Sequence, residues 1–228
     1  MSFQTEKKHK IHRMKYKACL FDLDGVLVDT AVYHFQAWKN LGKNFDYELT
    51  EEQNEELKGI SRVASLDRIL TWAQKEASQE EKNRWLIEKN ENYLELISNM
   101  NPSEILPGVL AFLQDIKAQG YLIALGSASK NAEIILQKTG LISWFDAIID
   151  GNHVQKSKPD PEVFLKGAEA LGVSPEYCIV FEDASAGVEA AKRAGMKAVG
   201  VGDATILDEA DQVISSFVGV QASKLLLF

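Results

Sequence analysis

Short apolar runs alternate with helix-length segments through most of this chain, and that alternation limits its fold more than any other feature. Residues 16–21, 121–126, 146–150, 177–182 and 197–202 are the apolar runs, most of them bounded by Gly, Asp or Ser. They lack the clean polar–apolar alternation of half-exposed strands, a pattern that suits a parallel sheet covered on both faces. Helical stretches at 108–119, 130–139, 161–171 and 184–194 lie between the later runs. Gly120, Gly140, Gly172 and Gly195 stand where those helices stop. Strand–helix–strand alternation of this kind predicts a doubly wound α/β layer.

One interval breaks the pattern. About 80 residues between the first run and Pro107–Gly108 carry no strand signal. They show helical periodicity instead, at 31–41, 51–57, 63–76 and 80–99, and are far too long for an ordinary connection. The expectation is a Rossmann-like α/β core with a doubly wound parallel sheet, formed by 15–29 and 104–228, and an inserted α-helical cap domain over 30–103. Short hinges near 30 and 103 join the two. The insertion leaves and re-enters at the end of the first strand, where parallel α/β sheets bind their ligands.

Composition fits a folded domain, with 46% hydrophobic and 25% charged residues. A chain of this size buries roughly 70% of its unfolded surface, so its core needs no metal or cross-link. Cys19 and Cys178 sit inside apolar runs and read as buried small hydrophobes rather than a disulfide. No apolar run approaches the roughly 18 residues that span a bilayer, so a soluble, cytoplasmic protein without membrane partners is expected. The net charge of −8 is uneven. The first 17 residues hold six bases and one acid, leaving 19 basic against 32 acidic residues beyond them. That acidic remainder argues against nucleic acid as a partner. Residues 1–14 read as a flexible basic tail.

Phe21–Thr30, FDLDGVLVDT, is the sharpest local feature. Asp22 and Asp24 follow an apolar run, and positions i and i+2 of an extended segment point the same way. Two carboxylates on one face repel, so a cation or a proton must offset the cost. Mg²⁺ suits such an oxygen-only site. Taken alone, a strand followed by an acidic Asp-Gly turn is the simpler reading. Ser127 after the run at 121–126, Lys158 before Pro159, and Glu182–Asp183 after the run at 177–181 then appear in order. Each lies where an apolar run stops, so a parallel sheet gathers them at one edge.

Together these residues resemble the four motifs of the haloacid dehalogenase superfamily of phosphotransferases, over residues 16–215. The resemblance implies Asp22 as the nucleophile that forms an aspartyl-phosphate, and Asp24 as general acid and base. It implies Mg²⁺ held by Asp22, the Asp24 carbonyl and Asp183, with Glu182 in or near that shell. Lys158 and Ser127 supply further donors around the transferring group.

Further segments narrow the resemblance. DTAVYHFQAW at 29–38, LKGISR at 57–62, SASKN at 127–131, ILPGV at 105–109, KSKPDPEVF at 156–164 and EDASAGVEA at 182–190 are similar to the β-phosphoglucomutase family. Such enzymes interconvert β-glucose 1-phosphate and glucose 6-phosphate by way of β-glucose 1,6-bisphosphate. A bisphosphate that turns around needs a second cationic site, for which Arg62 on the cap is the candidate. Ser129, Lys130 and Asn131, opening a helix, can bind the same distal phosphate. Gly59 and Ile60 let the cap backbone approach the sugar, and His34 and Lys58 couple binding to closure. Trp38, four residues from His34, shares its helix face and reads equally as cap packing or sugar contact. His9, His12 and His153 have no partner in any motif. The alternatives are a Mg²⁺-dependent sugar-phosphate phosphatase with a leakier cap and a non-catalytic phosphosugar sensor. A monomer acting on a small-molecule sugar phosphate is expected.

Overall fold

The computed structural model describes residues 15–58 and 60–228. The basic tail expected over 1–14, with His9 and His12, and the backbone of Gly59 lie outside the described residues. Six strands form one sheet: β1 (Ala18–Phe21), β2 (Leu122–Gly126), β3 (Ala147–Ile149), β4 (Cys178–Glu182), β5 (Lys197–Val201) and β6 (Gln212–Ile214). Every neighbouring pair is parallel, in the order β3-β2-β1-β4-β5-β6. β1 is central, with Ala18 opposite both Leu122 and Cys178.

The continuous apolar character of the strands follows from their burial on both faces. Cys19, Phe21, Ile123, Leu125, Ile179 and Phe181 point into one apolar cluster, while Ala18, Leu20, Ala124, Cys178 and Val180 point into another. Helices α5 (Val109–Ala118), α6 (Ala132–Thr139) and α9 (Ala222–Leu225) cover the first face; α7 (Glu162–Leu171) and α8 (Ser185–Arg193) cover the second. Phe21 stacks on Phe181 with ring centroids 4.6 Å apart. Both cysteines are free and buried, as expected, and burial pushes the Cys178 thiol up to about 12. β6 and α9 fall in the part of the sequence that carried no distinct signal.

The strandless interval is helical: α1 (Ala31–Gly42), α2 (Glu51–Glu55), α3 (Arg62–Trp72) and α4 (Gln79–Leu96). Thr50 and Ser78 start α2 and α4 with capping boxes to Gln53 and Glu81. Ser61 starts α3 by accepting from the Ala64 N–H. These helices share an apolar cluster of their own, built on Trp38, Leu41, Leu49, Leu66, Ile69 and Trp85. α3 stops at Trp72, four residues short of the expected end, where the chain turns through Gln74 at φ +50°. The strands of chain entering and leaving the helices pair with each other: Val28 bridges Ile105, Asp29 N–H donates to the Glu104 carbonyl, and Tyr33 Oη–H donates to Glu104 Oε1. Among the described residues no helix is long and apolar enough to cross a membrane.

Candidate active site

The strand order reverses at β1 and β4, whose carboxyl ends lie side by side. Chains that run out in opposite directions leave a crevice at such a point. Asp22 follows β1 directly, its N–H bound to the Phe181 carbonyl at 3.0 Å. Beyond it Leu23–Val28 make a tight turn, with Leu27 and Val28 N–H groups returning to the Leu23 carbonyl. Gly25 occupies this turn at φ +75°, and a Cβ there collides with the Asp183 carboxylate. Glycine is thus required both by the backbone and by the approach of β4's end.

A cavity of about 470 Å³ opens here between sheet edge and helices, a size suited to a small ligand. Asp22, Asp24, Ser127, Lys158 and Asp183 line it from the sheet side, joined by Ser129, Lys130 and Asn131. His34, Trp38, Lys58, Ile60 and Arg62 line it from the helical side. Trp38 also belongs to the helical apolar cluster, so it packs and lines the cavity at once. Glu182 is the exception among the expected residues. Fully buried, it accepts from Lys158 Nζ with Oε1 and from the Ala184 N–H with Oε2, and it faces the lysine rather than the cavity.

Lys158 is the buried cation at the centre, its side chain enclosed and bonded to both Asp22 and Glu182. Burial alone lowers a lysine's pKa; the two carboxylates outweigh it and hold this ammonium above its ordinary value. Asp22, Asp24, Glu182 and Asp183 crowd together here, against Lys158 beneath and Lys58 and Lys89 on the helical side. Burial, then the Asp22 charge, pushes the Asp24 carboxyl up to about 7. Burial, followed by Glu182 and Asp22, holds the Asp183 carboxyl well above the usual range. Glu182 is likewise raised, chiefly by burial. A carboxyl poised near neutrality can both give and take a proton. Thr30, completely buried, donates to Asp24 Oδ1 and fixes that side chain.

This surplus of negative charge is the observation that fits a cation, and its oxygen-only donors suit Mg²⁺. Among the described residues no three acidic, imidazole or thiol groups gather as a ready-made cage. The Asp22 and Asp183 carboxylates are the cavity's oxygen donors that would suit such an ion, with main-chain carbonyls and water completing its shell.

On the helical side the structure adds residues that sequence reasoning missed. Lys89 on α4 is buried, and its Nζ lies 2.8 Å from His34 Nδ1 and over the Trp38 and Tyr93 rings. Burial, then Lys89 and Arg62, hold the His34 pKa well below its ordinary value. The ring is neutral and packs its Nδ1 against Lys89 Nζ, and burial, then Arg62, lowers the Lys89 pKa well below its ordinary value as well. Trp85, Lys89 and Tyr93 recur every four residues on the buried face of α4. A lysine on an otherwise aromatic stripe was the available signal. Asn90 Oδ1 accepts from Asn131 Nδ2 at 2.9 Å, a contact between helical side and sheet edge. Lys58 Nζ, 3.9 Å from Asp183 Oδ2, is another.

Comparison with known proteins agrees with this geometry. The β-phosphoglucomutase of Bacillus subtilis is 44% identical over 200 residues, covering 87% of this chain and 88% of that relative. A phosphorylated carbohydrates phosphatase of Thermotoga maritima is 32% identical, covering 80% and 83%. The crystal structure of β-phosphoglucomutase from Clostridium difficile superposes with a TM-score of 0.88 at 43% identity, covering 91% and 94%. The haloacid dehalogenase-like hydrolase profile matches residues 19–201, from within β1 to the end of β5. With the acidic sheet edge inside that span, the chain belongs to the haloacid dehalogenase-like hydrolase family.

Proposed function

We propose that the chain is a phosphomutase interconverting β-glucose 1-phosphate and glucose 6-phosphate through phospho-Asp22 and β-glucose 1,6-bisphosphate. One observation carries the reading: a single cavity is lined both by Asp22, Ser127 and Lys158 and by a second set of cationic and amide donors, Arg62 from the helical side with Lys130 and Asn131 from the sheet side. The identity to the B. subtilis relative supports it.

In the first half-reaction the sugar's 6-hydroxyl attacks phospho-Asp22 while Asp24 removes the hydroxyl proton, giving the bisphosphate and free Asp22. The bisphosphate then turns around, held by its other phosphate. Asp22 attacks phosphorus at position 1, and Asp24 returns the proton to the departing sugar oxygen. Glucose 6-phosphate leaves and phospho-Asp22 is restored. Lys158 and Ser127 orient the transferring group and balance its charge. Arg62, Ser129, Lys130 and Asn131 hold the distal phosphate, while His34, Lys58, Ile60 and Trp38 face the sugar and Gly59 lets the backbone approach it. Asp22, the Asp24 carbonyl and Asp183, with Glu182 near that shell, would hold Mg²⁺, which would supply charge neutralisation when bound. We take residues 30–103 as the cap and 15–29 with 104–228 as the core. We take the working unit to be a cytoplasmic monomer.

A phosphorus NMR time course with Mg²⁺, β-glucose 1-phosphate and a trace of bisphosphate tests the reading. Glucose 6-phosphate is the expected product; inorganic phosphate as the main product overturns it. The T. maritima relative keeps a phosphatase as the second reading. Arg62→Ala separates the two. Mutase turnover should fall by about 10- to 100-fold, since charge-assisted bonds are worth about 1.5–3 kcal/mol each. A hydrolase of small monophosphates should keep its rate.

Metal binding should depend on pH. The Asp183 carboxyl is held well above the usual range, so protons compete with the ion for it. Mg²⁺ affinity is expected to tighten as the pH rises, with proton release detectable by calorimetry in buffers of different ionisation enthalpy. A pH-independent affinity contradicts the assignment.

A further inference from the structure

The turn after β3 is bonded to the loop that carries Ser129, Lys130 and Asn131, and no step above uses it. Ser127 N–H donates to the Ile149 carbonyl at 3.0 Å and Gly151 N–H to the Ser129 carbonyl at 3.2 Å. The Asn152 side-chain amide donates to the Lys130 carbonyl at 2.9 Å. Asn152 is itself held by Asp150, a carboxylate with only 3% exposure. Its main-chain N–H donates to Asp150 Oδ1 at 2.8 Å and its Nδ2 to Asp150 Oδ2 at 3.1 Å. His153, without a partner in the sequence motifs, lies with Nδ1 2.7 Å from Asp150 Oδ1.

In a trans peptide the C=O and N–H groups point in opposite directions. Turning the Ser129 and Lys130 carbonyls toward the turn therefore directs the N–H groups of Lys130 and Asn131 away from it. The Asn131 N–H reaches Ser129 Oγ at 3.3 Å, which orders that hydroxyl as well. The packing leaves no slack, because a Cβ on Gly151 collides with the Ala128 carbonyl and sits 3.1 Å from the Lys130 nitrogen.

We propose that Asn152 is a positioning residue for the distal-phosphate loop. Anchored by Asp150 and assisted by the Gly151 N–H, it sets the two peptide units that present donors to the phosphate not being transferred. This rests on the assignment of Ser129, Lys130 and Asn131 to that phosphate. The role predicts a split between the two ends of the cavity. Acetyl phosphate offers one phosphoryl group and nothing for the distal site; attack by Asp22 on its phosphorus releases acetate and leaves phospho-Asp22.

The experiment measures KM and kcat for β-glucose 1-phosphate, phospho-Asp22 formation from acetyl phosphate by mass, and thermal unfolding. Asn152→Ala should raise KM by about five- to tenfold, the worth of one lost hydrogen bond. Its kcat and its phosphorylation by acetyl phosphate should stay within about twofold of the wild type. Asn152→Leu, which keeps about the size and loses the N–H donor without adding charge at an exposed position, should repeat the rise in KM and carries the test should the alanine variant fold poorly. Lys130→Ala is the control for the underlying assignment. An unchanged KM in the Asn152 variants beside a raised KM in Lys130→Ala overturns the positioning role alone. An unchanged KM in all three overturns the distal-phosphate assignment and the positioning role with it. Equal losses in sugar turnover and acetyl phosphate reaction also overturn it, because a purely structural residue gives that pattern.

Discussion

Asp22→Asn is expected to fold normally and to lose sugar-phosphate turnover by about 10⁴-fold or more, the scale on which removal of a covalent nucleophile acts. The side chain is nearly enclosed at the end of β1, and an amide has the same shape. What changes is chemistry: the amide carries no negative charge and does not form a stable phosphoryl ester. The fold should tolerate the change, because Glu182 still accompanies Lys158 and the repulsion between Asp22 and Asp24 is gone. With that repulsion removed the Asp24 carboxyl should titrate below about 7, burial and the Glu182 charge remaining to raise it. Mass measurement after exposure to acetyl phosphate provides the check. The wild type should gain one phosphoryl group and the variant none. A variant that still becomes phosphorylated removes Asp22 from its role.

Lys158→Met should give the largest loss of stability. The lysine is completely enclosed and is the ammonium bonded to both Asp22 and Glu182. Methionine fills a similar volume but leaves buried carboxylates without a compensating charge, a change that costs about 3–5 kcal/mol. The pH dependence has a definite sign. Glu182 already titrates above its ordinary value in the folded protein, and losing Lys158 raises it further. A raised carboxyl disfavours folding only where the unfolded chain is ionised. The deficit should therefore be small near pH about 4, an ordinary glutamate's pKa, and grow as the pH rises. Urea unfolding of metal-free protein across that range measures it. Lys158→Met combined with Glu182→Gln should recover much of the loss, since the two groups interact directly. A single variant as stable as wild type at neutral pH contradicts the arrangement.

The sheet and the acidic edge were legible from sequence because burial on both faces leaves continuous apolar strands. Asp22, Ser127 and Asp183 each directly follow a strand, so the parallel sheet gathers them, whereas Lys158 reaches the same place from the loop between β3 and α7. β6 was not legible: Gln212–Ile214 holds only two apolar residues between Asp211–Gln212 and Ser215–Ser216, whereas β3, an edge strand of the same length, is apolar throughout. Lys89 was missed for a related reason. A charged residue on a helix is usually solvated, and only its place between Trp85 and Tyr93 marks it as buried. Glu182 and Asp183 are adjacent and indistinguishable in the sequence, and strand geometry sends them to opposite surroundings. Asp183 turns into the cavity, whereas Glu182 turns under Lys158. Asn152 carried no signal at all, since its partner Lys130 lies 22 residues away.

Crystals grown with Mg²⁺ and a fluoride mimic of the transferring phosphoryl group test the central claim most directly. The ion is expected between Asp22, the Asp24 carbonyl and Asp183, with the mimic in line with an Asp22 carboxylate oxygen and touching Lys158 and Ser127. A mimic bound away from Asp22, or an ion bound without Asp183, contradicts the account.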